Sequence, residues 1–342
     1  MIEIPIPQER VHVYNNRQEW LDARTDSEHA IGGSAVARIL GISPHGGPWS
    51  VWSEWHGERR RTNDDIEKTL RRGRALENVA LSLGAEDFGL HLELPRNIYA
   101  GGNPEAEIVI NGDEPWMRVT PDAFGVCLAS NMVIGAEAKT SGIPEDWGES
   151  CEIVQWGEGA ENLLPPHYAV QVYWYLEATK LPAWDLCALI LNRGMTIKRF
   201  RLWADHDVQK RLVDRVGEWR QRHLIEGHEP DPTGERECIS WLAKKHGPSV
   251  LEYREPTNGE LAMAREWREI SERQKADEDR LKQLRAELLT RIGPLAGLDL
   301  GMGQAINRIY RAGYKVAPTP YTVEPTAYVQ LGRLKTKMPK RR

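Results

Sequence analysis

The tripeptide Glu137-Ala138-Lys139 closes an apolar run, Met132-Val133-Ile134-Gly135-Ala136. On a β-strand, side chains two positions apart face the same side, so this carboxylate and amine project together from a core-like strand. Charged groups in such a place are costly unless they are paired or engaged with a metal. Asp122, preceded by Thr120-Pro121, stands where the preceding strand can bring it beside Glu137. Two carboxylates offer the hard oxygen donors that suit magnesium, with manganese as a substitute. A cation held this way keeps several waters, one of which Lys139 can orient or deprotonate while the cation takes up charge on a phosphate. The chemistry expected is phosphodiester hydrolysis.

Two further pieces flank this set. Gly73-Arg74-Ala75-Leu76-Glu77 precedes it, and Gln171-Val172-Tyr173-Trp174-Tyr175 follows it. Each is common by itself; their order, spacing and context together make the case. Tyr175 lies one helical turn beyond Gln171, either supporting it or serving as a packed aromatic.

The elements that must position these residues follow from periodicity. Trp20 to Arg24 has helical spacing, and Ile31-Gly32-Gly33-Ser34 reads as a turn whose Ser34 can cap a helix running to Leu40. Ile66, Leu70, Leu76, Ala80 and Leu83 recur as one face of a long helix from Asp64 to Phe88. Strand-like runs follow at His91 to Tyr99, at Trp116 to Thr120 continuing through Asp122 to Leu128, and at Met132 to Lys139. A helix from His167 to Thr179, a hairpin of Trp184 to Asn192 and Met195 to Trp203, and a helix from Asp205 to Glu226 complete the pattern. This order predicts an α/β (α+β) fold with a mixed central sheet flanked by helices.

The stretch from Gly227 to Gly234 contains Pro230 and Pro232 and divides the chain into a catalytic domain, residues 1–230, and an extension, residues 235–342. In the extension Met263, Trp267, Ile270, Leu281, Leu284 and Leu288 follow alternating steps of three and four, predicting a coiled-coil-like helix over about 258–292. Gln274 and Asp277 interrupt that seam, either setting register or marking a poorly packed middle. Short strands are expected around Tyr310 to Leu334, and Gly301-Met302-Gly303 is read as a turn because no Lys-Ser/Thr follows it.

Composition narrows the function classes. A chain of 342 residues with 40% hydrophobic content can bury one substantial core and a small second one. The four cysteines form no CxxC pair, which disfavours a zinc ribbon, a disulfide framework and a four-cysteine iron–sulfur cluster. The ten histidines fall at no HExxH-like spacing, and the tryptophans are expected mostly in the core. Neither a long apolar run nor a basic-then-apolar start is present, so a cytoplasmic location, in a bacterial cell or a phage-infected host, is expected. A net charge of −5 counts against a simple nucleic-acid binder, but Arg59, Arg60, Arg61, Lys68, Arg71, Arg72 and Arg74 crowd one stretch and the tail Arg333 to Arg342 is basic. The first cluster suits a solvated helix face interleaved with acids; the tail suits either a solubilising end or a DNA contact.

The series G-x-x-x-E, P-D, E-x-K and Q-x-x-x-Y, in that order over Trp20 to Tyr175, resembles the motifs shared by RecB-type nucleases and the lambda exonuclease and YqaJ-like viral recombinase families. The resemblance implies a PD-(D/E)XK restriction-endonuclease-like core with a helical/β C-terminal extension. It implies Asp122 and Glu137 as principal metal ligands, a backbone carbonyl from Ala138, Lys139 as catalytic lysine, and Glu77 acting through a water or on a second ion. Gln171 would position the nucleophile or a ligand, with Tyr175 behind it. Glu19-Trp20-Leu21-Asp22-Ala23-Arg24 and Ile31-Gly32-Gly33-Ser34 are similar to the opening of lambda-type exonucleases, which places Arg24 and Ser34 at a terminal 5′-phosphate. An Arg fork and a hydroxyl near a helix start suit a phosphate dianion, although Ser34 also serves as a plain cap.

The expected activity is therefore exonucleolytic digestion of one strand of linear double-stranded DNA from the 5′ end. It would expose single strand for phage-type recombination, with a single-strand annealing protein as partner, and the resemblance implies a ring-shaped trimer. The alternatives are an endonuclease or single-strand nuclease of the same fold, and a non-catalytic DNA-end-binding or scaffold protein. The extension has no counterpart in the compact phage exonuclease; binding a partner, assembling subunits and guiding DNA all remain open to it.

Overall fold

The computed structural model describes residues 2–26, 30–57, 64–142, 147–154, 164–191, 194–247, 254–292, 297–301 and 304–307. Arg59, Arg60 and Arg61, the basic tail and the stretch Tyr310 to Leu334 lie outside the described residues. Contacts divide the chain into two compact units, Met1–Leu242 and Ala243–Arg342. Among the described residues no helix is long and apolar enough to cross a membrane.

The first unit is built on a five-stranded sheet of order β3-β6-β7-β8-β9. Its strands are β3 (Leu90–Glu93), β6 (Ala123–Cys127), β7 (Met132–Ser141), β8 (Ala183–Ile190) and β9 (Thr196–Trp203). β6 and β7 form an antiparallel hairpin whose turn places Asn131 in the left-handed region, φ 56°. β7 and β8 run parallel, which demands a crossover, and α6 (Pro166–Thr179) supplies it. Proline at its first position suits the helix start, and Lys180 in the left-handed conformation ends it.

Every residue of β8 is buried, as expected of a strand covered on both faces. On one face α4 (Asp64–Phe88) packs Ala80 and Leu81 against Ala123, Ala136, Ala138 and Leu189. The alanines let the helix approach closely, and Gly84 is required there because a Cβ would stand 2.6 Å from Sγ of Cys187. On the other face α6 packs Val172 and Leu176 into the main core with Phe124, Trp184 and Leu186, all fully buried. Truncating one of these aromatics would cost about 3–5 kcal/mol.

A second sheet, of order β1-β4-β5-β2, joins β1 (Val11–Tyr14), β4 (Glu107–Asn111), β5 (Met117–Val119) and β2 (Ile31–Gly32). It corrects the expectation of one continuous run from Trp116 to Leu128. β5 and β6 belong to different sheets because Thr120-Pro121-Asp122 interrupts the ladder, and proline has no N–H to continue it. The expected strand His91 to Tyr99 is also divided: β3 ends at Glu93 and α5 (Pro95–Tyr99) starts at a proline. α2 (Gly33–Ile39) begins one residue before Ser34, with Gly32 as its N-cap and no side-chain cap. Ser34 is therefore an exposed residue of the first turn, not the cap.

α7 (His206–Arg220) starts on a true cap, Asp205, whose carboxylate accepts from the N–H groups of Asp207 and Val208. It continues into a π-helical turn, Gln221–Ile225, so the expected helix to Glu226 is two elements. Residues beyond Pro232 are tied to this unit. Glu235 accepts from the N–H groups of Gly47, Trp49 and Ser50 at the start of α3 (Pro48–Trp55), at 2.8, 3.2 and 3.1 Å. Trp241, on α8 (Arg236–His246), packs edge-on against Trp52 with centroids 4.7 Å apart.

In the second unit α9 (Asn258–Ile292) covers the span expected from its seam. Thr257 and Glu260 form a reciprocal capping box: Thr257 N–H donates to the Glu260 carboxylate at 2.8 Å, and Glu260 N–H donates to Thr257 Oγ1 at 3.3 Å. β10 (Gly297–Gly301) and β11 (Gln304–Asn307) form an antiparallel hairpin on either side of Met302-Gly303.

Candidate active site

The alternation of β7 sends Ala136 and Ala138 toward α4 and Glu137 and Lys139 to the opposite face. The small residue between Glu137 and Lys139 is thus explained by the helix packed against it. The ladder between β6 and β7 ends at the Ala123–Ala136 pair. Beyond it the N–H of Ala138 donates to Oδ2 of Asp122 at 2.8 Å. An extended residue sends its N–H and C=O to the same edge, so the Ala138 carbonyl also points to the Asp122 side.

Glu137 is the centre of the cluster. Its side chain is 4% exposed, and Oε1 accepts from Nζ of Lys139 and, at 2.7 Å, from Nε2 of Gln171. Nε2 also donates to the hydroxyl of Tyr175 at 3.0 Å, and that hydroxyl donates to the carbonyl of Thr120 at 3.3 Å. Tyr175 is consequently both readings at once. Its ring is buried edge-on against Trp184, centroids 5.1 Å apart, while its hydroxyl ties α6 to the residue two before Asp122. Lys139 Nζ lies 5.3 Å from the centre of the Tyr168 ring.

The electrostatics are those of buried acid in excess over base. Burial, and then the neighbouring Asp122 charge, raise the Glu137 carboxyl to about 8. Burial also raises Asp122, against the opposing pull of Lys139 and of the Ala138 N–H. Lys139 would be pushed down by burial, but Glu137 and Asp122 outweigh that and raise it, so the amine stays protonated at neutral pH. Oε2 of Glu137 is buried and meets no donor among the described residues, and the Glu137 and Asp122 carboxyls lie close enough to share a proton. A bare buried carboxylate oxygen is costly, and a cation would satisfy it.

The donor set fits such an ion. Asp122, Glu137 and the Ala138 carbonyl are hard oxygens, and magnesium is ordinarily held by one or two carboxylates together with water. Glu77 is half-buried on α4 and senses the cluster: burial and Asp122 raise its carboxyl, whereas Lys139 and Arg74 lower it. Among the described residues no three acidic, histidine or cysteine side chains converge closely enough to hold a metal together.

The start of α2 completes the surroundings. A Cβ at Gly33 would overlap Cε1 of Tyr175 and come within 3.1 Å of Cγ of Gln171, so only glycine allows this approach. Ser34 is the next residue. Arg24 belongs to α1 (Arg17–Asp26), but its side chain lies outside the described part of the structure.

Residues 19–182 match the family model of the YqaJ-like viral recombinase domain, a span that holds every residue of the cluster. No curated protein matches the sequence. Among solved structures, an alkaline exonuclease (LHK-Exo) from Laribacter hongkongensis is 14% identical, with 67% of this chain and 97% of that chain covered and a TM-score of 0.41. The structure of LHK-Exo in complex with dAMP is similar at 15% identity with the same coverage and TM-score 0.41. SSO0001 is similar at 15% identity, with 66% of this chain and 91% of that chain covered and a TM-score of 0.34.

Proposed function

We propose that this protein, whose residues 19–182 form a YqaJ-like viral recombinase domain, is a metal-dependent DNA exonuclease hydrolysing phosphodiester bonds of linear double-stranded DNA. The family supports a nuclease of the phage recombination type; 5′-to-3′ polarity and delivery of single strand to an annealing protein belong to the proposal. The observation that carries it is the pair of buried carboxyls at Glu137 and Asp122, close enough to share a proton, with one Glu137 oxygen bound by Lys139 and Gln171 and the other meeting no donor among the described residues.

Asp122, Glu137 and the Ala138 carbonyl would hold magnesium, or manganese in its place, with Glu77 contributing through a water or to a second ion. What the cation supplies when bound is neutralisation of charge on the scissile phosphate. Lys139, protonated and fixed by Glu137, aims its remaining N–H donors at the attacking water and the phosphate oxygens. Gln171 locks the Glu137 rotamer. Tyr175 holds the Thr120-Pro121-Asp122 turn in place. Arg24 and Ser34 would receive the terminal 5′-phosphate; Ser34 is exposed in the first turn of α2, directly after the Gly33 that packs on Gln171 and Tyr175.

An endonuclease or single-strand nuclease could use the same residues, so substrate topology is the test. Linear duplexes bearing a 5′-phosphate or a 5′-hydroxyl are compared with a covalently closed circle. Digestion of the linear forms alone, faster with the phosphate, is expected. Cutting of the circle would sink the end-dependent mechanism, and inertness toward all DNA would favour a binding or scaffold role.

A further inference from the structure

The apolar seam of α9 lies entirely within the second unit, and Met263, Trp267, Ile270 and Leu281 on it are exposed, at 63%, 38%, 48% and 65%. Leu284 and Leu288 complete the seam and are half-buried, and a heptad stripe with four large apolar residues exposed is seldom left so unless another helix covers it. The pattern also says which helix. Its positions are Met263, Trp267, Ile270, Gln274, Asp277, Leu281, Leu284 and Leu288, and the intervals between them read 4-3-4-3-4-3-4, the same from either end. Laid antiparallel on a second α9, Met263 therefore meets Leu288, Trp267 meets Leu284, and Ile270 meets Leu281, over about 38 Å of helix at roughly 1.5 Å per residue.

The two polar seam positions then fall next to the two-fold axis and face each other. Gln274 of one copy would meet Asp277 of the other, twice. A side-chain amide has two N–H donors. One of those of Gln274 is engaged by Glu278 at 3.3 Å within the helix, leaving the second for the Asp277 carboxylate across the axis. A parallel pair would instead set Asp277 against Asp277 and bury like charges together. Along the flank, like charges at Arg273 and Arg280 and at Glu266 and Glu287 would meet, but Arg280 and Glu287 of one helix already form an ion pair at 3.6 Å that offsets both.

We infer that α9 is a homotypic assembly element: it binds the α9 of a second copy of this chain as an antiparallel coiled coil, with Gln274 and Asp277 fixing direction and register. Buried polar residues at seam positions are a recognised means of specifying both. The inference does not depend on the nuclease reading.

The test uses the full chain. Sedimentation equilibrium should give a mass that is an even multiple of 38.9 kDa, and Ile270→Asp with Leu281→Asp should halve it while circular dichroism keeps its helical signal. Mild oxidation of an Ile270→Cys/Leu281→Cys double variant should trap a covalent dimer, with neither single variant nor the unmodified chain doing so. A monomer at tens of micromolar, or a trimer whose mass the aspartate variant leaves unchanged, overturns the inference. Single-cysteine variants that cross-link as well as the double would show a parallel pair and overturn it too.

Discussion

Gln171 on α6 donates its side-chain amide to Oε1 of Glu137 on β7 at 2.7 Å, joining the crossover helix to the strand that carries the candidate catalytic residues. Because the same nitrogen donates to Tyr175, which in turn bonds Thr120, one chain of hydrogen bonds orients both Glu137 and the turn leading to Asp122. Residues that orient metal ligands typically matter by about 10–100-fold in metal affinity or activity.

Gln171→Leu should therefore lower magnesium affinity and the rate on linear duplex by about 10–100-fold, whereas Tyr175→Phe, which keeps the buried ring, should cost less. Titration of activity against magnesium for both variants checks this. Equal rates for Gln171→Leu and the unmodified protein would remove Gln171 from the site.

The pH dependence of stability follows from Glu137. Its carboxyl is raised in the folded protein to about 8, above the ordinary 4.5, so the folded state holds that proton more tightly than the unfolded chain does. The stability this contributes is complete below about 4.5 and is lost as pH rises through about 8. In chelator, the unmodified protein should lose stability relative to Glu137→Gln between pH 5 and pH 9. Denaturation midpoints across that range decide it, and a gap independent of pH would contradict the burial of a charged Glu137.

Magnesium should reverse that loss. An ion that binds only the folded state stabilises it by mass action, about 2.7 kcal/mol at a hundredfold excess over its dissociation constant. The unmodified protein should melt several degrees higher with magnesium at pH 8, and Asp122→Asn and Glu137→Gln should not. Equal shifts in all three would place the ion elsewhere.

Gly33→Ala should destabilise the first unit by about 1–3 kcal/mol, the usual cost of overpacking, and should depress activity further by displacing Gln171 and Tyr175. Chemical denaturation and DNA digestion measure the two effects. An unchanged midpoint would mean that α2 does not rest on the site as described.

Much of this was readable in the sequence because strict periodicity leaves little choice. The alternation through Glu137-Ala138-Lys139 assigned the two charges to one face, and the four-residue step from Gln171 to Tyr175 placed them one turn apart. Heptad spacing similarly fixed α9. Of the small sheet only β5 was readable, since the other strands are short and pair over long separations, as Val11 does with Ile110. Ser34 looked like a cap because its residue type favours one, but the helix starts one residue earlier, at Gly33, with Gly32 in the cap position. Tyr168 was likewise missed as a neighbour of Lys139, although it precedes Gln171 by three residues and Tyr175 by seven, and so shares their helix face. The distance of Glu77 from Asp122 and Glu137 depends on how α4 lies on the sheet, which no local pattern encodes.

The most direct test of the central claim is the rate of digestion of linear duplex DNA, with magnesium or with chelator, by the unmodified protein and by Lys139→Ala. The account predicts digestion only with magnesium and a fall of at least about 10²-fold in the variant, the usual cost of losing a donor aimed at the charge that develops in the reaction. Digestion that continues in chelator, or a Lys139→Ala variant that works at the unmodified rate, would contradict it.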